Sequence, residues 1–139
     1  MNRIRRAAPA DSAAVFDLAR QFATSFHPQL ENFEQSFNLL LEQDDALLLV
    51  MDDADQLLGY LLGFDHHTLY ANGRVSWVEE LMVRPDRRRA GVGRDLMLQF
   101  EQWAATRGSK LVALATRRAA PFYTAIGYQE SALYFRKLL

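Results

Sequence analysis

Apolar residues change their spacing several times along the chain, and each change marks an element boundary. Ile4 and its neighbours read as a short first strand. Pro9 suits the first turn of a helix, and Asp11 places a negative charge near its N-terminus. Val15, Leu18, Ala19 and Phe22 then recur at helical spacing. His27-Pro28 breaks the pattern, because a residue before proline is pushed out of the helical region. A second helix carries Leu30, Phe33, Phe37, Leu40 and Leu41 on one face. Two continuous apolar runs, Ala46–Met51 and Gln56–Phe64, flank the polar turn Asp52-Asp53-Ala54-Asp55 and predict a β-hairpin, although the leucines alone would permit helix. Asn72-Gly73 signals a tight turn before a strand over Val75–Val83, which Pro85, Gly91 and Gly93 close. The next helix runs to about Arg107, with Leu96, Met97, Phe100, Trp103 and Ala104 facing inward and Gly108 as its stop. Leu111–Ala115 reads as a buried strand, Pro121–Ile126 as a short helix, and Tyr128–Leu139 as a pair of terminal strands. The order β-α-α-β-β-β-α-β-α-β-β is that of a mixed α/β domain spanning residues 1–139, with no repeat or linker.

Composition narrows the chemistry. A chain of 139 residues can bury about 68–70% of its unfolded surface, so it needs no metal or disulfide staple. It has no cysteine, which removes thiol nucleophiles and Cys-based zinc sites together. Three scattered histidines, His27, His66 and His67, make no metal site. Apolar runs such as Leu57–Phe64 fall far short of the roughly 20 residues of a membrane span. Asp11 and Asp17 interrupt what would be the apolar part of a signal peptide after the basic Met1–Arg6, so the expected location is the cytoplasm. The net charge of −1 hides an asymmetry. No Lys or Arg occurs from Gln21 to Gly73, where Glu31, Glu34, Glu42, Asp44, Asp45, Asp52, Asp53, Asp55 and Asp65 lie. Arg84, Arg87, Arg88, Arg89 and Arg94 then cluster around Asp86. Such a distribution fits either two solvated faces or a cleft that holds an anion at one end and a cation at the other.

The segment Val83-Arg84-Pro85-Asp86-Arg87-Arg88-Arg89-Ala90-Gly91-Val92-Gly93-Arg94 leads a strand through a glycine loop into a helix. Free backbone amides and the positive end of the helix dipole make such a junction an anion site. A dinucleotide fingerprint would need Gly or Ala where Leu96 stands, and a P-loop would need a Gly-Lys pair that the chain lacks. Taken alone, Gly-x-Gly after a strand is as readily a structural turn.

Arg88-x-x-Gly91-x-Gly93 after Val83-x-Pro85 resembles the acyl-coenzyme A loop of the GNAT superfamily of N-acetyltransferases. Pro121-Phe122-Tyr123-Thr124-Ala125-Ile126-Gly127-Tyr128 is similar to that family's Tyr-x-x-x-Gly-Phe/Tyr motif, and Tyr134-Phe135-Arg136-Lys137-Leu138 to its last strand. The resemblance covers nearly the whole chain. It implies a central, largely antiparallel sheet of about six to seven strands, splayed between the fourth and fifth, with about four helices. It also implies transfer of an acetyl group from acetyl-CoA to a primary amine in a ternary complex, with no metal, nucleic acid or membrane involved. A homodimer is compatible with it.

By that resemblance the pyrophosphate falls on Arg88, Arg89, Ala90, Gly91, Val92, Gly93 and Arg94. The pantetheine arm would pair with main chain at Leu81, Met82 and Val83, and the Leu81 N–H would polarise the thioester carbonyl. Tyr123 matches the family's general acid, against the alternative of a core aromatic. Glu79-Glu80-Leu81-Met82-Val83 resembles the Glu-Asp-x-x-Val of polyamine-acetylating members, making Glu79 the candidate base. Strand alternation puts residues 77, 79 and 81 on one face and Glu80 on the other, an assignment that the family's bulge in this strand can invert. Trp77 stands where the histone-acetylating branch bears its glutamate, so that mechanism does not transfer. The segment Thr116–Ala120 lacks the asparagine with which many members contact the arm. Phe26, His27 and Phe33 fall where the family walls its acceptor site, and the acids of residues 31–55 favour a cationic small-molecule or peptide amine. His66 and His67 read as exposed loop residues. Two other classes compete: a non-catalytic acyl-CoA-binding module of the same fold, and a nucleic-acid binder using Arg84–Arg94, which the acidic first half argues against.

Overall fold

The computed structural model of the chain describes residues 2–23 and 25–139. In chain order the elements are β1 (Asn2–Arg6), a 3-10 turn at Pro9–Asp11, α1 (Ser12–Phe22), α2 (Leu30–Glu42), β2 (Ala46–Asp53), β3 (Gln56–His67), β4 (Arg74–Val83), a second 3-10 turn at Pro85–Arg87, α3 (Val92–Thr106), β5 (Ser109–Leu114) and α4 (Ala120–Ala125). The strands form one open sheet in sequence order. β1 to β4 run antiparallel to their neighbours, and β5 is parallel to β4.

Helices cover both faces. Val15 and Leu18 of α1 and Phe37 of α2 pack with Leu48, Val50, Tyr60, Leu62 and Met82. Leu96, Met97 and Phe100 of α3 pack with Leu47, Leu49, Met51, Leu58, Leu61 and Val78 on the opposite face. Successive residues of β2 thus enter different cores, which is why its sequence is continuously apolar rather than alternating. A Cβ at Gly63 would run into the Phe100 ring, so that glycine sets how closely α3 lies on β3. Buried Asp65 near the end of β3 accepts hydrogen bonds from Arg74 at the start of β4 and Arg107 just beyond α3. Arg5 of β1 bridges Asp11 and Asp52, joining the edge strand to the start of α1 and the end of β2.

The sheet has five strands rather than the six or seven expected. Residues 128–139, read as two terminal strands, form none, and every residue from 129 onward is exposed. The local pattern there suits a strand, but a strand needs a partner edge, and no ladder joins this tail to β5. His66 and His67 are the last residues of β3, both exposed, rather than loop residues.

A second correction concerns β4. Leu62 pairs with Glu80 while the next residue, Gly63, pairs with Val78, so Glu79 is an extra residue bulged out of the ladder. Val78 and Leu81 therefore face the same α3 side with two glutamates between them. Trp77 pairs with Phe64, on the α1/α2 side, so residues 77 and 81 do not share a face as simple alternation predicted.

Candidate active site

β4 and β5 pair from Arg74↔Ser109 to Val78↔Leu114 and then part. The stretch Glu79–Val83 continues along β3 alone. Its outer edge lacks a strand neighbour, which leaves main-chain donors and acceptors open beside the α3 N-terminus. Leu81 and Val83 lie against the α3-side core, whereas Met82 is buried on the other face beside Tyr60. In the antiparallel ladder Arg84 N–H bonds the Leu58 carbonyl, so the alternate pair Met82–Tyr60 also spends its main chain on β3, and Leu81 and Val83 present the open edge.

The loop after β4 has a graded exposure. Arg88, Arg89, Ala90, Gly91 and Arg94 are exposed, and Val92 and Gly93 are buried. Gly91 caps α3 with φ +85°, a left-handed conformation that suits glycine, and a Cβ there would touch nothing within 4 Å. Gly93 also has a packing role. Its Cβ would lie 3.1 Å from Cζ of Phe122 and 3.6 Å from Val83, so it lets α4 close on the first turn of α3.

The five arginines separate by partner. Arg84 is held by Asp86 and Gln56, and Arg87 lies 3.6 Å from Asp53. Arg88, Arg89 and Arg94 have no acidic partner among the described residues. The Arg88 Nε donates to the Val83 carbonyl at 3.4 Å, at the open end of β4. Three guanidinium groups without an acidic partner thus stand on the loop and first turn of α3, an arrangement that suits a polyanion.

Pro121 starts α4 within its first turn, which carries Phe122 and Tyr123 into the α3-side core. The Tyr123 ring sits edge-on to Phe122 and Tyr128, with centroids at 4.9 and 5.9 Å. Its hydroxyl makes no hydrogen bond among the described residues, and burial pushes its pKa up to about 12. It therefore keeps its proton across neutral pH.

On the α1/α2 side, the Glu80 carboxylate accepts a hydrogen bond from the Tyr60 hydroxyl at 2.7 Å. Burial raises the Glu80 pKa, the Tyr60 bond opposes the shift, and the nearby charge of Glu79 adds to it. Glu79 itself is exposed on the bulge. Tyr60 was not singled out from the sequence, because within the run Gln56–Phe64 it carries no mark that separates it from core. Phe33 stacks with Phe37 and tilts against Phe16, half-buried against the core, while Phe26 and His27 are exposed on the α1–α2 loop. The acidic half is also less free than its composition suggests, because Asp52 and Asp65 are bound by arginines. A cleft of about 510 Å³ lies between α1, the β2–β3 turn and Arg84–Asp86, and it includes neither Tyr123 nor the glutamates.

The model described as Acetyltransferase (GNAT) family matches residues 12–128. The chain belongs to this family of acyltransferases. It is 32% identical over 114 residues to an aminoglycoside N(6′)-acetyltransferase type 1 of Acinetobacter genomosp. 13, covering 74% of this chain and 77% of that protein. It is 25% identical over 133 residues to an uncharacterised N-acetyltransferase of Bacillus subtilis, covering 91% and 89%. The fold matches a solved aminoglycoside N-acetyltransferase in complex with CoA, with TM-score 0.85, 20% identity and coverage of 99% and 95%.

Proposed function

We propose that the chain transfers an acetyl group from acetyl-CoA to a cationic amine by direct attack within a ternary complex. The parting of β4 from β5 after Val78 carries this reading, because it opens main chain at Leu81 and Val83 beside a helix N-terminus with three arginines that have no acidic partner among the described residues. Arg88, Arg89 and Arg94 with the amides of residues 91–94 bind the coenzyme phosphates. The pantetheine arm continues the sheet along Leu81–Val83. The Leu81 N–H donates to the thioester oxygen and stabilises the oxyanion as the amine adds to the carbonyl carbon.

An alkyl ammonium near pKa 10.4 must lose its proton before attack. Glu79, exposed on the bulge, accepts that proton directly or through a water molecule. Collapse of the tetrahedral intermediate breaks the carbon–sulfur bond, Tyr123 gives its proton to the leaving thiolate, and the excess proton on the new amide nitrogen passes to solvent, from which the tyrosinate is reprotonated. Glu80, held by Tyr60, adds a second carboxylate on the acceptor side of β4.

Two linked measurements test the reading. Coenzyme A should raise the melting temperature by mass action, and acetyl-CoA with an amine panel that includes aminoglycosides should release free thiol. No thermal shift at millimolar coenzyme A refutes the donor assignment. A shift without thiol release on any amine leaves a coenzyme-binding module and refutes the catalytic one.

A further inference from the structure

The Tyr60 hydroxyl has no explanation in packing. Tyr60 is only 1% exposed within an apolar run, where phenylalanine would fill the same space without needing a polar partner. Its hydroxyl donates to Glu80 Oε1 at 2.7 Å, its one side-chain hydrogen bond among the described residues. With Glu79 bulged out of the ladder, Trp77 pairs with Phe64 and Glu80 with Leu62, so Trp77 and Glu80 become same-face neighbours on the α1/α2 side. Trp77 stacks there on Tyr134, with ring centroids at 6.5 Å. The stretch from Gln21 to Gly73, which supplies α2, β2 and β3, has no Lys or Arg to face these glutamates. Arg20 of α1 is held by Asp17, and Arg136 donates to Ser25. No ion pair among the described residues includes Glu79 or Glu80.

We propose that Tyr60 is a positioning residue that holds Glu80 to receive a second ammonium of the acceptor, which makes diamines the preferred acceptors. On the acetyltransferase reading above, on which this rests, acetylation of one ammonium releases one proton overall, and the exposed Glu79 can take it alone. A second carboxylate fixed beside Glu79 has no proton to accept, so it matches a charge that stays on the acceptor. Burial and the charge of Glu79 both oppose ionisation of Glu80, and only the Tyr60 hydrogen bond favours it. A bound ammonium reverses that balance, because an opposite charge at contact distance favours the carboxylate. Trp77 and Tyr134 add ring faces that attract a cation. A monoamine leaves Glu80 without a cation, whereas an acceptor with two amines satisfies both glutamates.

Alkanediamines of increasing length, each compared with the monoamine of equal length, are the probes. Calorimetry in the presence of coenzyme A reads their affinity without turnover, and thiol release from acetyl-CoA reads KM and kcat. The best diamine should bind about 10–100-fold more tightly than its monoamine, the size of one hydrogen bond between charged groups. Glu80→Gln keeps an acceptor for the Tyr60 hydroxyl but removes the charge, so it should abolish this advantage. Tyr60→Phe keeps the ring and releases the carboxylate, so it should shrink the advantage several-fold, with the loss in the diamine KM rather than in kcat. A role in packing alone would lower the melting temperature of Tyr60→Phe and leave the diamine-to-monoamine ratio unchanged, which overturns the proposal. A wild-type chain that binds both amines equally overturns it as well, and so does a Glu80→Gln that keeps the preference. Selective diamine binding without thiol release from any amine refutes the catalytic reading and supports the positioning of Glu80, whereas thiol release with no diamine preference does the reverse.

Discussion

Gly93→Ala is the substitution whose sign the structure reverses. In an unobstructed helix, replacing glycine with alanine stabilises by about 1 kcal/mol. Here the new Cβ would meet Phe122 Cζ at 3.1 Å and Cε1 at 3.4 Å, so α4 must retreat by a few tenths of an ångström. Overpacking of this kind costs about 1–3 kcal/mol, which cancels or outweighs the propensity gain. The net loss should be about 0–2 kcal/mol, or up to roughly 10 °C in melting temperature for a chain of this length. Phe122→Leu shortens the obstructing ring, so in a double-mutant cycle the alanine should become stabilising in that background. Because Tyr123 follows Phe122 on the same short helix, turnover of Gly93→Ala should fall more than coenzyme affinity. Gly91→Ala meets no atom but must adopt φ +85°, at about 1–2 kcal/mol, and Gly91→Asn should recover most of that loss. Thermal denaturation with and without coenzyme A reads all five proteins. If Gly93→Ala alone gains stability, α4 does not close on α3 as described and the argument fails.

Three further outcomes follow from individual side chains. Tyr123→Phe should leave stability and coenzyme affinity nearly unchanged, because the hydroxyl has no partner among the described residues, yet lower turnover about 10²–10⁴-fold; unchanged turnover returns Tyr123 to a packing role. Asp65→Asn should cost about 2–4 kcal/mol in chemical denaturation, less than a fully buried pair because Arg74 and Arg107 are partly exposed. Burial opposes its ionisation but the two arginines prevail and lower its pKa, so its stabilisation is present above the usual 3.8 and lost as pH falls; Asp65→Asn should lack that part of the acid loss. Glu80 titrates in the opposite sense: burial raises its pKa, so its contribution is full below the usual 4.5 and declines as pH rises, and the stability of Glu80→Gln relative to wild type should improve from pH 4 to pH 7.

The sequence made the element order from β1 to α4 legible because each element carries its own punctuation. Asn72-Gly73, Pro85 and Gly108 end their segments by backbone chemistry that needs no tertiary partner. The glycine loop was legible for the same reason, since Gly91 takes its left-handed cap wherever the helix starts. What the pattern could not show depends on a second segment. Gly93 is indistinguishable from Gly91 until Phe122 is brought against it, and the arginines look alike until Asp86, Gln56 and Asp53 claim two of them.

The glutamates of β4 make the same argument at the centre of the site. Alternation counts residues along one strand, but which face a residue takes is fixed by the register between two strands. Opposite Glu79 and Glu80, β3 offers Leu62 and then Gly63, which lies under the Phe100 ring. Val78 is paired with that glycine and Leu81 with Leu61, so one residue between them has to leave the ladder. Glu79 is a residue that tolerates that position, since outside the ladder its carboxylate keeps its water. The pairing that removes it leaves Glu80 on the Tyr60 side, half-buried and hydrogen-bonded. Two adjacent carboxylates of one residue type therefore differ in exposure and in hydrogen bonding because one residue of β4 leaves its ladder with β3.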